Sequence, residues 1–387
     1  MLLPVHLETA PMKFSGDPRE WAVVMPSIRS INLSYLVGIP PEVKIIVVDD
    51  SNGSIEANRE NMDVYRYDDY RCMLGDDEDL IPRKTDTCRS FGFYMAWRQG
   101  YRYVVTLDDD CMTHPGFLSQ HNILGDYREL KSVQCEPWYN TLDNLVLNPN
   151  GKSSPRWYAR GVPYWCRLEP PLAPRFGTLG GRIVCNMGMW LQVPDINGLD
   201  KIADEIPAGV AIREELLAVA PRTNFSLCIM NVALLAETVP AFYQLPMNTE
   251  IANARLDRFG DIWSGYILKK LADVRGDLVT IGQPLVTHTK AGNTVRETRV
   301  EHFGHLLETH FYRLIDAAAA TVSPADYGAM YGQLAESFVE AVENDNLPWV
   351  YRDFFLQMGD KMVRWAKVTA RSAPAKAAPA ECREPVH

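Results

Sequence analysis

Two runs of β-branched and apolar residues, each ending directly in aspartates, constrain the fold of this chain more than any other feature. Residues 43–48 (VKIIVV) lead into Asp49 and Asp50, and residues 101–107 (YRYVVTL) lead into Asp108, Asp109 and Asp110. Continuous apolar strands of this kind are typical of a parallel sheet that is covered on both faces. In such sheets ligands bind at the carboxyl ends of the strands. The sequence therefore predicts an α/β fold of the doubly wound type with a polar site at these ends.

The rest of the chain is divided by the same kind of pattern. A further buried strand is predicted over residues 21–26, and residues 85–99 have the composition and spacing of a helix. Three helix-like segments follow near the C-terminus, at residues 297–318, 324–345 and 348–368. The predicted organisation is a main α/β domain over 1–296, a helical C-terminal region over 297–370 and a disordered tail, rich in alanine, proline and charge, over 371–387.

Charge and cysteine usage exclude several classes of function. Lysine and arginine number 39 against 49 aspartates and glutamates, a formal net charge of -10. Proteins that bind nucleic acids or anionic membranes need a cationic surface, so this acidic composition argues against both kinds of binding. The eight cysteines form no CxxC pair and suit reduced core thiols rather than a zinc site or disulfides. With no signal-peptide pattern and no apolar run near the roughly 20 residues that span a bilayer, we expect a cytoplasmic protein.

The aspartate triplet after the third strand predicts a metal site. In extended backbone Asp108 and Asp110 would point to the same side, because side chains alternate along a strand. Two such carboxylates suit a hard divalent cation, which can hold the phosphates of a nucleotide diphosphate. A solvated acidic turn is the alternative. Asp49 has two interpretations as well: it hydrogen-bonds a uracil or ribose, or it is an ordinary turn aspartate.

Ten short blocks between residues 23 and 293 together carry a family resemblance. They are VVMPSIR (23–29), IIVVDD (45–50), KTDTCRSFG (84–92), LDDDC (107–111), YNTL (139–142), RGVPYWCR (160–167), GMWLQVPD (188–195), CIMNVA (228–233), RFGDIWSGY (258–266) and HTKAGN (288–293). In this order they resemble the plant reversibly glycosylated polypeptides, also called UDP-arabinopyranose mutases. The helices after residue 293 are expected to lie outside the resemblance.

The resemblance implies a fold, an activity and a cofactor. The fold would be a GT-A type, Rossmann-like nucleotide-sugar domain, with Mn²⁺ or Mg²⁺ as cofactor and without flavin. The activity would be the interconversion of pyranose and furanose forms of a UDP-pentose, UDP-arabinose above all, with reversible self-glycosylation on an arginine. Arg160 matches the glycosylated residue, and Arg167 matches a second arginine needed for activity. The chain departs from the family at Met187, Ile229 and Gly260, where a histidine, a glycine and an aspartate are usual.

Within the matching blocks, the chemistry of individual residues indicates their roles. His288 is predicted to complete a metal site with Asp108 and Asp110, since a neutral imidazole is a common ligand. Asp261 is a candidate base that takes a proton from Arg160; alternatively it orients a sugar hydroxyl or caps a helix, and Arg160 is only a phosphate contact. The predicted substrate contacts are Asp49, Lys84, Arg89, Asp108, Asp109, Trp190, Asn231 and Lys290.

Three further points stay open at the level of sequence. Trp190 and Trp263 provide either an apolar platform for a sugar or ordinary core packing. The same metal and nucleotide pocket would serve a glycosyltransferase with an external acceptor, and a non-catalytic partner subunit of a mutase complex would share most of these residues. The apolar stripes of the C-terminal helices predict either packing on the main domain or self-association into a homo-oligomer.

Overall fold

The secondary structure is taken from a computed structural model, which describes residues 14–51, 53, 55–148, 156–168, 173–203, 205–251, 253–289 and 292–372. The strands are β1 (Trp21–Ser27), β2 (Lys44–Asp49), β3 (Met62–Tyr65), β4 (Tyr103–Leu107), β5 (Cys111–Met112), β6 (Tyr127–Gln134), β7 (Trp138–Tyr139), β8 (Leu145–Asn148), β9 (Arg175–Gln192), β10 (Ala208–Ile212), β11 (Leu216–Val219), β12 (Asn224–Phe225), β13 (Asn231–Leu235), β14 (Thr249–Ile251), β15 (Ala254–Leu256) and β16 (Leu278–His288). The helices are α1 (Tyr67–Leu74), α2 (Cys88–Arg98), α3 (Phe117–His121), α4 (Trp165–Leu168), α5 (Asp200–Ala203), α6 (Gly260–Arg275), α7 (Thr294–Ala319), α8 (Tyr327–Asn344) and α9 (Trp349–Arg371).

Four parallel strands near the N-terminus form one half of the main sheet. They lie in the order β3, β2, β1, β4. In the centre Val23 is paired with Ile45 on one side and Val105 on the other. Helix α2 packs against β1 and β2, and every residue of β4 is buried. This arrangement confirms the α/β sheet predicted from the apolar runs, and it places the ends of β1, β2 and β4 side by side.

The other half of the sheet is mixed and brings a distant strand to the acidic end of β4. Strand β13 is antiparallel to β4 and β9, and β9 in turn is parallel to β16. The last residues of β16 pair with β5, with Thr287 opposite Met112 and His288 opposite Cys111. Because β5 directly follows Asp110, this pairing positions His288 beside the aspartates.

The C-terminal region is helical, as predicted. Helix α7 contacts α6 and α8, and α8 contacts α9. The indole of Trp263 on α6 stacks on the ring of Phe311 on α7, with centroids 4.2 Å apart and an interplanar angle of 13°. Helix α7 begins at Thr294, so the predicted boundary at residue 296 falls inside its first turn. Within the described ranges no helix is both long and apolar enough to span a membrane.

Removing the Trp263 side chain should separate α6 from α7 and destabilise the fold. The indole is fully buried, so Trp263→Ala is expected to lower the free energy of unfolding by about 3–5 kcal/mol. Urea denaturation followed by circular dichroism measures this loss. Trp349→Ala is the matched control, because that side chain is 80% exposed and its removal should change stability by less than about 0.5 kcal/mol. Equal effects of the two substitutions would contradict the packing role.

Candidate active site

The three aspartates after β4 form a tight turn, which we call the acidic turn (Asp108–Asp110). The amide of Cys111 donates to the carbonyl of Asp108 at 3.1 Å. The backbone is therefore not extended here, and the alternation of side chains along a strand does not apply. The turn nevertheless brings Asp108 and Asp110 to the same cavity, while all three aspartates line a second one.

Two arginines offset the mutual repulsion of these carboxylates. The Arg89 guanidinium, buried on α2, forms an ion pair with Asp108. Arg29, just after β1, forms an ion pair with Asp109 and lies 3.5 Å from Asp110. Each arginine places a positive charge beside carboxylates that would otherwise repel one another, so the two ion pairs stabilise the acidic turn.

His288 presents one ring nitrogen to the acidic turn. Its Nδ1 lies 2.9 Å from the carbonyl oxygen of Val193, and its Nε2 lies 3.8 Å from Oδ1 of Asp110. A carbonyl oxygen only accepts hydrogen bonds, so Nδ1 is the ring nitrogen that donates to Val193. Nε2 is the nitrogen turned towards Asp110, and a histidine commonly binds a metal in this orientation while its other nitrogen is held by a carbonyl.

These donors fit a divalent ion that is completed by its substrate. In the part of the chain that the structure describes, no group of three or more His, Cys, Asp or Glu side chains is arranged to hold a metal ion by itself. Mg²⁺ and related hard ions are often bound by only one or two carboxylates together with phosphates and water. Asp108, Asp110 and His288 would therefore provide part of a coordination shell, with phosphate oxygens providing the rest.

The acidic turn opens into a cleft made of two adjoining cavities. The strand-end cavity, of about 630 Å³, lies at the ends of β1 and β2, and the helix-side cavity, of about 330 Å³, extends to His288 and the start of α7. Their shared wall includes Asp108, Asp110, Arg160 and Asp261. The structure thus brings together residues from nine of the ten matching sequence blocks, all but residues 139–142, in one cleft at the carboxyl ends of the parallel strands.

Arg160 lies in the shared wall, held by two carboxylates. Its Nε is 2.9 Å from Asp195, and its Nη2 is 2.6 Å from Asp261. Burial by itself lowers the pKa of Arg160, but Asp195 and Asp261 outweigh burial and raise this pKa well above the ordinary arginine value. The guanidinium is therefore charged in the resting protein, and the Asp261 carboxylate contacts both of its terminal nitrogens.

A glycine allows Arg160 to approach α6 this closely. Gly161 has a positive φ of 84°, and a Cβ at this position would lie 2.6 Å from a methyl group of Ile262. Any side chain there would push the loop away from the first turn of α6, which carries Asp261. Glycine is accordingly required both for the left-handed backbone and for the close contact.

Arg167 has a different environment. Its Nη1 is 2.8 Å from Asp200, its Nη2 donates to the carbonyl of Val162 at 2.7 Å, and its guanidinium lies 4.1 Å from the ring centroid of Tyr164. It lines neither cavity of the cleft. Arg167 therefore stabilises the loop that carries Arg160, through its contacts with Val162 and Tyr164, and it does not line the cleft in which a phosphate would bind.

The Asp49 side chain accepts hydrogen bonds from the turn that follows it, whereas the next residue, Asp50, lines the cleft. One carboxylate oxygen of Asp49 accepts from the amide of Ser51 at 2.8 Å, and the other lies 3.3 Å from the amide of Ile55. Asp50 lines the strand-end cavity, and burial raises its pKa. The ordinary turn interpretation thus describes Asp49, and Asp50 is the carboxylate available to a ligand at the end of β2.

The other predicted substrate contacts divide into two groups. Lys84 and Arg89 line the strand-end cavity, as do all three aspartates of the acidic turn. Trp190 and Asn231 are buried away from the cleft: the indole is 1% exposed, and the amide of Asn231 donates to the carbonyl of Pro284 at 2.7 Å. Core packing therefore describes Trp190. Lys290 lies outside the described residues.

Sequence reasoning missed several charged residues of the cleft. Asp195 ends one of the matching blocks, yet only the tertiary structure shows that it binds Arg160. Arg258 links the cleft to α7, with its Nε 2.6 Å from Glu301. Arg296, in the first turn of α7, lines both cavities, and no carboxylate among the described residues pairs with it. The apolar spacing of α7 predicted a helix but not which polar side chains it would turn towards the site.

The fold and the cleft define an α/β protein with a polar cleft at the carboxyl ends of parallel strands, between an acidic turn and a set of arginines. The chain belongs to the reversibly glycosylated polypeptide family, whose sequence model matches residues 19–373. The match includes α7, α8 and α9, so the expectation that the resemblance ends near residue 293 is wrong. Helices keep their apolar spacing while their individual residues change, which hides such similarity from short blocks.

Curated relatives from plants cover almost the whole chain. The protein is 24% identical over 358 residues to UDP-arabinopyranose mutase 1 of Arabidopsis thaliana, covering 89% of this chain and 91% of that protein. It is 24% identical over 366 residues to UDP-arabinopyranose mutase 1 of Oryza sativa subsp. japonica, covering 93% of both. A probable UDP-arabinopyranose mutase 1 of Pisum sativum is 24% identical over 355 residues. The predicted family and the mutase-like class of enzyme are thereby confirmed.

Proposed function

We propose that this protein is a metal-dependent, flavin-independent mutase that interconverts the pyranose and furanose forms of a UDP-pentose, with UDP-arabinose as the first candidate, on a GT-A type domain. One observation carries the proposal: Arg160 lies in the cleft wall between two carboxylates, next to an acidic turn suited to a diphosphate-bound metal. The names of the curated relatives agree with this substrate.

The two cavities suit the two halves of the substrate. The strand-end cavity, with Asp50 and Lys84 at its wall, has the size and polarity for the uridine. The helix-side cavity would take the pentose, with the diphosphate at the acidic turn between them. A divalent ion held by Asp108, Asp110 and His288 would stabilise the negative charge on the departing UDP. Arg296 reaches the same region and is a cationic contact for phosphate oxygens.

Arg160 is the proposed acceptor of the sugar. The bond between the anomeric carbon and the UDP oxygen breaks, and its electron pair leaves with UDP. A terminal nitrogen of Arg160 forms the new bond to that carbon and releases a proton. Asp261 takes this proton, because it contacts both terminal nitrogens, at 3.1 and 2.6 Å, whereas Asp195 holds Nε and sets the orientation of the guanidinium.

Incubation with UDP-arabinopyranose and Mn²⁺, without any acceptor, tests the proposed activity. The expected product is UDP-arabinofuranose, separated by anion-exchange chromatography, and a panel of other UDP-sugars would define the preferred sugar. Sugar transfer only after addition of an acceptor would instead identify a glycosyltransferase. UDP binding without turnover or self-labelling would identify a non-catalytic partner subunit.

Replacing Arg296 should weaken substrate binding while leaving the fold intact. The side chain is exposed in the cleft at the start of α7, so Arg296→Ala is expected to raise KM for the UDP-sugar by about tenfold, the effect of losing roughly one charged phosphate contact. Initial-rate kinetics measure the change. Arg299→Ala, on the same helix but outside both cavities, is the matched control and should leave KM unchanged. A KM for Arg296→Ala equal to that of the control would remove this arginine from the phosphate site.

A further inference from the structure

We propose that Asp86 is the acid–base residue that opens and recloses the pentose ring while the sugar is attached to Arg160. This inference rests on the proposed function and assigns a role to a residue that the sequence blocks did not single out. Asp86 lies two residues before α2 and lines the strand-end cavity.

The position of Asp86 leaves its carboxyl group available for proton transfer. Its Oδ1 is covered from solvent and has no hydrogen-bond partner among the described residues. Its Oδ2 lies against the first residue of α6: a Cβ at Gly260 would approach it to 3.2 Å. Asp86 therefore adjoins the turn that carries Asp261, and a buried polar atom without a partner is a group that a bound ligand can satisfy.

The charges around Asp86 suit both protonation states. The charged groups that act on the Asp86 carboxyl group are Asp257 and Asp261, which disfavour a negative charge there, and Arg89 and Arg160, which favour one. Burial, followed by repulsion from Asp257 and Asp261, raises the pKa of Asp86 to about 7 even though both arginines lower it. A carboxyl group with this pKa is a proton donor and a proton acceptor at neutral pH, which is the requirement for a general acid–base catalyst.

The reaction requires such a group in addition to Asp261. Once Asp261 has taken the guanidinium proton, a nitrogen lone pair on the glycosylated Arg160 forms a double bond to the anomeric carbon, and the bond from that carbon to the pyranose ring oxygen breaks. The released oxygen takes the proton of Asp86. The 4-hydroxyl then attacks the same carbon, the double-bond electrons return to nitrogen, and the hydroxyl proton goes to the Asp86 carboxylate. Asp86 ends in its starting form, so no further reactant is needed.

Asp86→Asn separates ring opening from sugar transfer. Asparagine keeps the shape of the side chain and removes its proton, so kcat for isomerisation is expected to fall by about 10²–10⁴-fold. Transfer of radiolabelled arabinose from UDP-arabinopyranose onto the protein should persist, because that step uses Asp261. In the wild type, kcat should fall as the pH rises through about 7, where the acid form is lost, and this dependence should be absent from the variant.

A substitution of an exposed aspartate outside the cleft serves as the control. Asp68→Asn changes an exposed aspartate on α1, outside both cavities, and should leave kcat, labelling and the pH dependence unchanged. Isomerisation by Asp86→Asn at the wild-type rate would overturn the inference. Loss of labelling together with isomerisation, in a variant whose thermal unfolding is unchanged, would also overturn it, because Asp86 would then act before ring opening. A wild-type protein that forms no furanose isomer would contradict the proposed function itself.

Discussion

Arg160→Ala is expected to abolish both isomerisation and self-labelling, with kcat reduced by about 10³-fold or more, as for other enzymes that lose a nucleophile. The physical reason is that no other nitrogen of the described residues is held by Asp261 at the shared wall of the two cavities. Chromatography of the products and radiolabelling with UDP-arabinopyranose measure the two losses separately.

The same substitution should also weaken the fold, because Asp195 and Asp261 would remain buried without their cation. Breaking a buried ion pair by removing one partner costs about 3–5 kcal/mol, which urea denaturation would detect. Calorimetric titration with UDP distinguishes lost chemistry from lost folding, since the strand-end cavity should still bind UDP. Arg156→Ala is the control: Arg156 pairs with Asp143, outside the cleft. If Arg160→Ala retained isomerisation, the proposed covalent attachment of the sugar to Arg160 would be wrong, and Arg160 would be only a phosphate contact.

Under the proposed metal-dependent mechanism, Asp110→Asn is expected to remove most of the activity that added Mn²⁺ supports. Asp110 lies between Arg29 and His288, and its charge is the one that the Nε2 of His288 faces. Losing this carboxylate should lower kcat by about 10²-fold or more, because the negative charge on departing UDP would be poorly stabilised. Titration of Mn²⁺ in the presence of UDP, followed by electron paramagnetic resonance, gives a readout that does not depend on turnover.

Substitutions at Asp63 and Asp109 serve as comparisons for the effect of Asp110→Asn on Mn²⁺ binding. Asp63→Asn removes a carboxylate that pairs with Lys44 at 2.7 Å on the neighbouring strands and lines neither cavity, and it should leave Mn²⁺ binding unchanged. Asp109→Asn should have a smaller effect than Asp110→Asn, because Asp109 is already paired with Arg29. Undiminished Mn²⁺ binding by Asp110→Asn would contradict the assignment of the acidic turn as the metal site.

The local features of this chain were predictable because short segments determine them. The buried strands, the aspartates at their ends and the C-terminal helices follow from apolar spacing over a few residues, and the structure confirms them. Residue type alone could not distinguish a ligand-binding side chain from one used by its own turn or by the core. For this reason Asp49, Trp190 and Asn231 were grouped with the substrate contacts, although the structure buries all three away from the cleft.

The arrangement around Arg160 depended on contacts that span the chain. Asp195 is 35 residues away in sequence, and Asp261 is 101 residues away. The matching blocks identified Arg160 and Asp261 separately, but the role of Asp195 and the position of Asp86 followed only from the folded loops. Arg296 was missed for the same reason, because helical spacing predicts which face is buried and not which cavity the opposite face borders.

By itself, the sequence determined that this protein has buried parallel strands that end in carboxylates and closes with packed helices, since these properties arise from neighbouring residues and the hydrophobic effect. Tertiary structure alone decided which charges meet. The antiparallel pairing of β16 with β5 carries His288 to the acidic turn, and Gly161 lets Arg160 reach α6. Electrostatic interactions act through space rather than along the chain, so the chemistry of the site follows from the packing of distant segments.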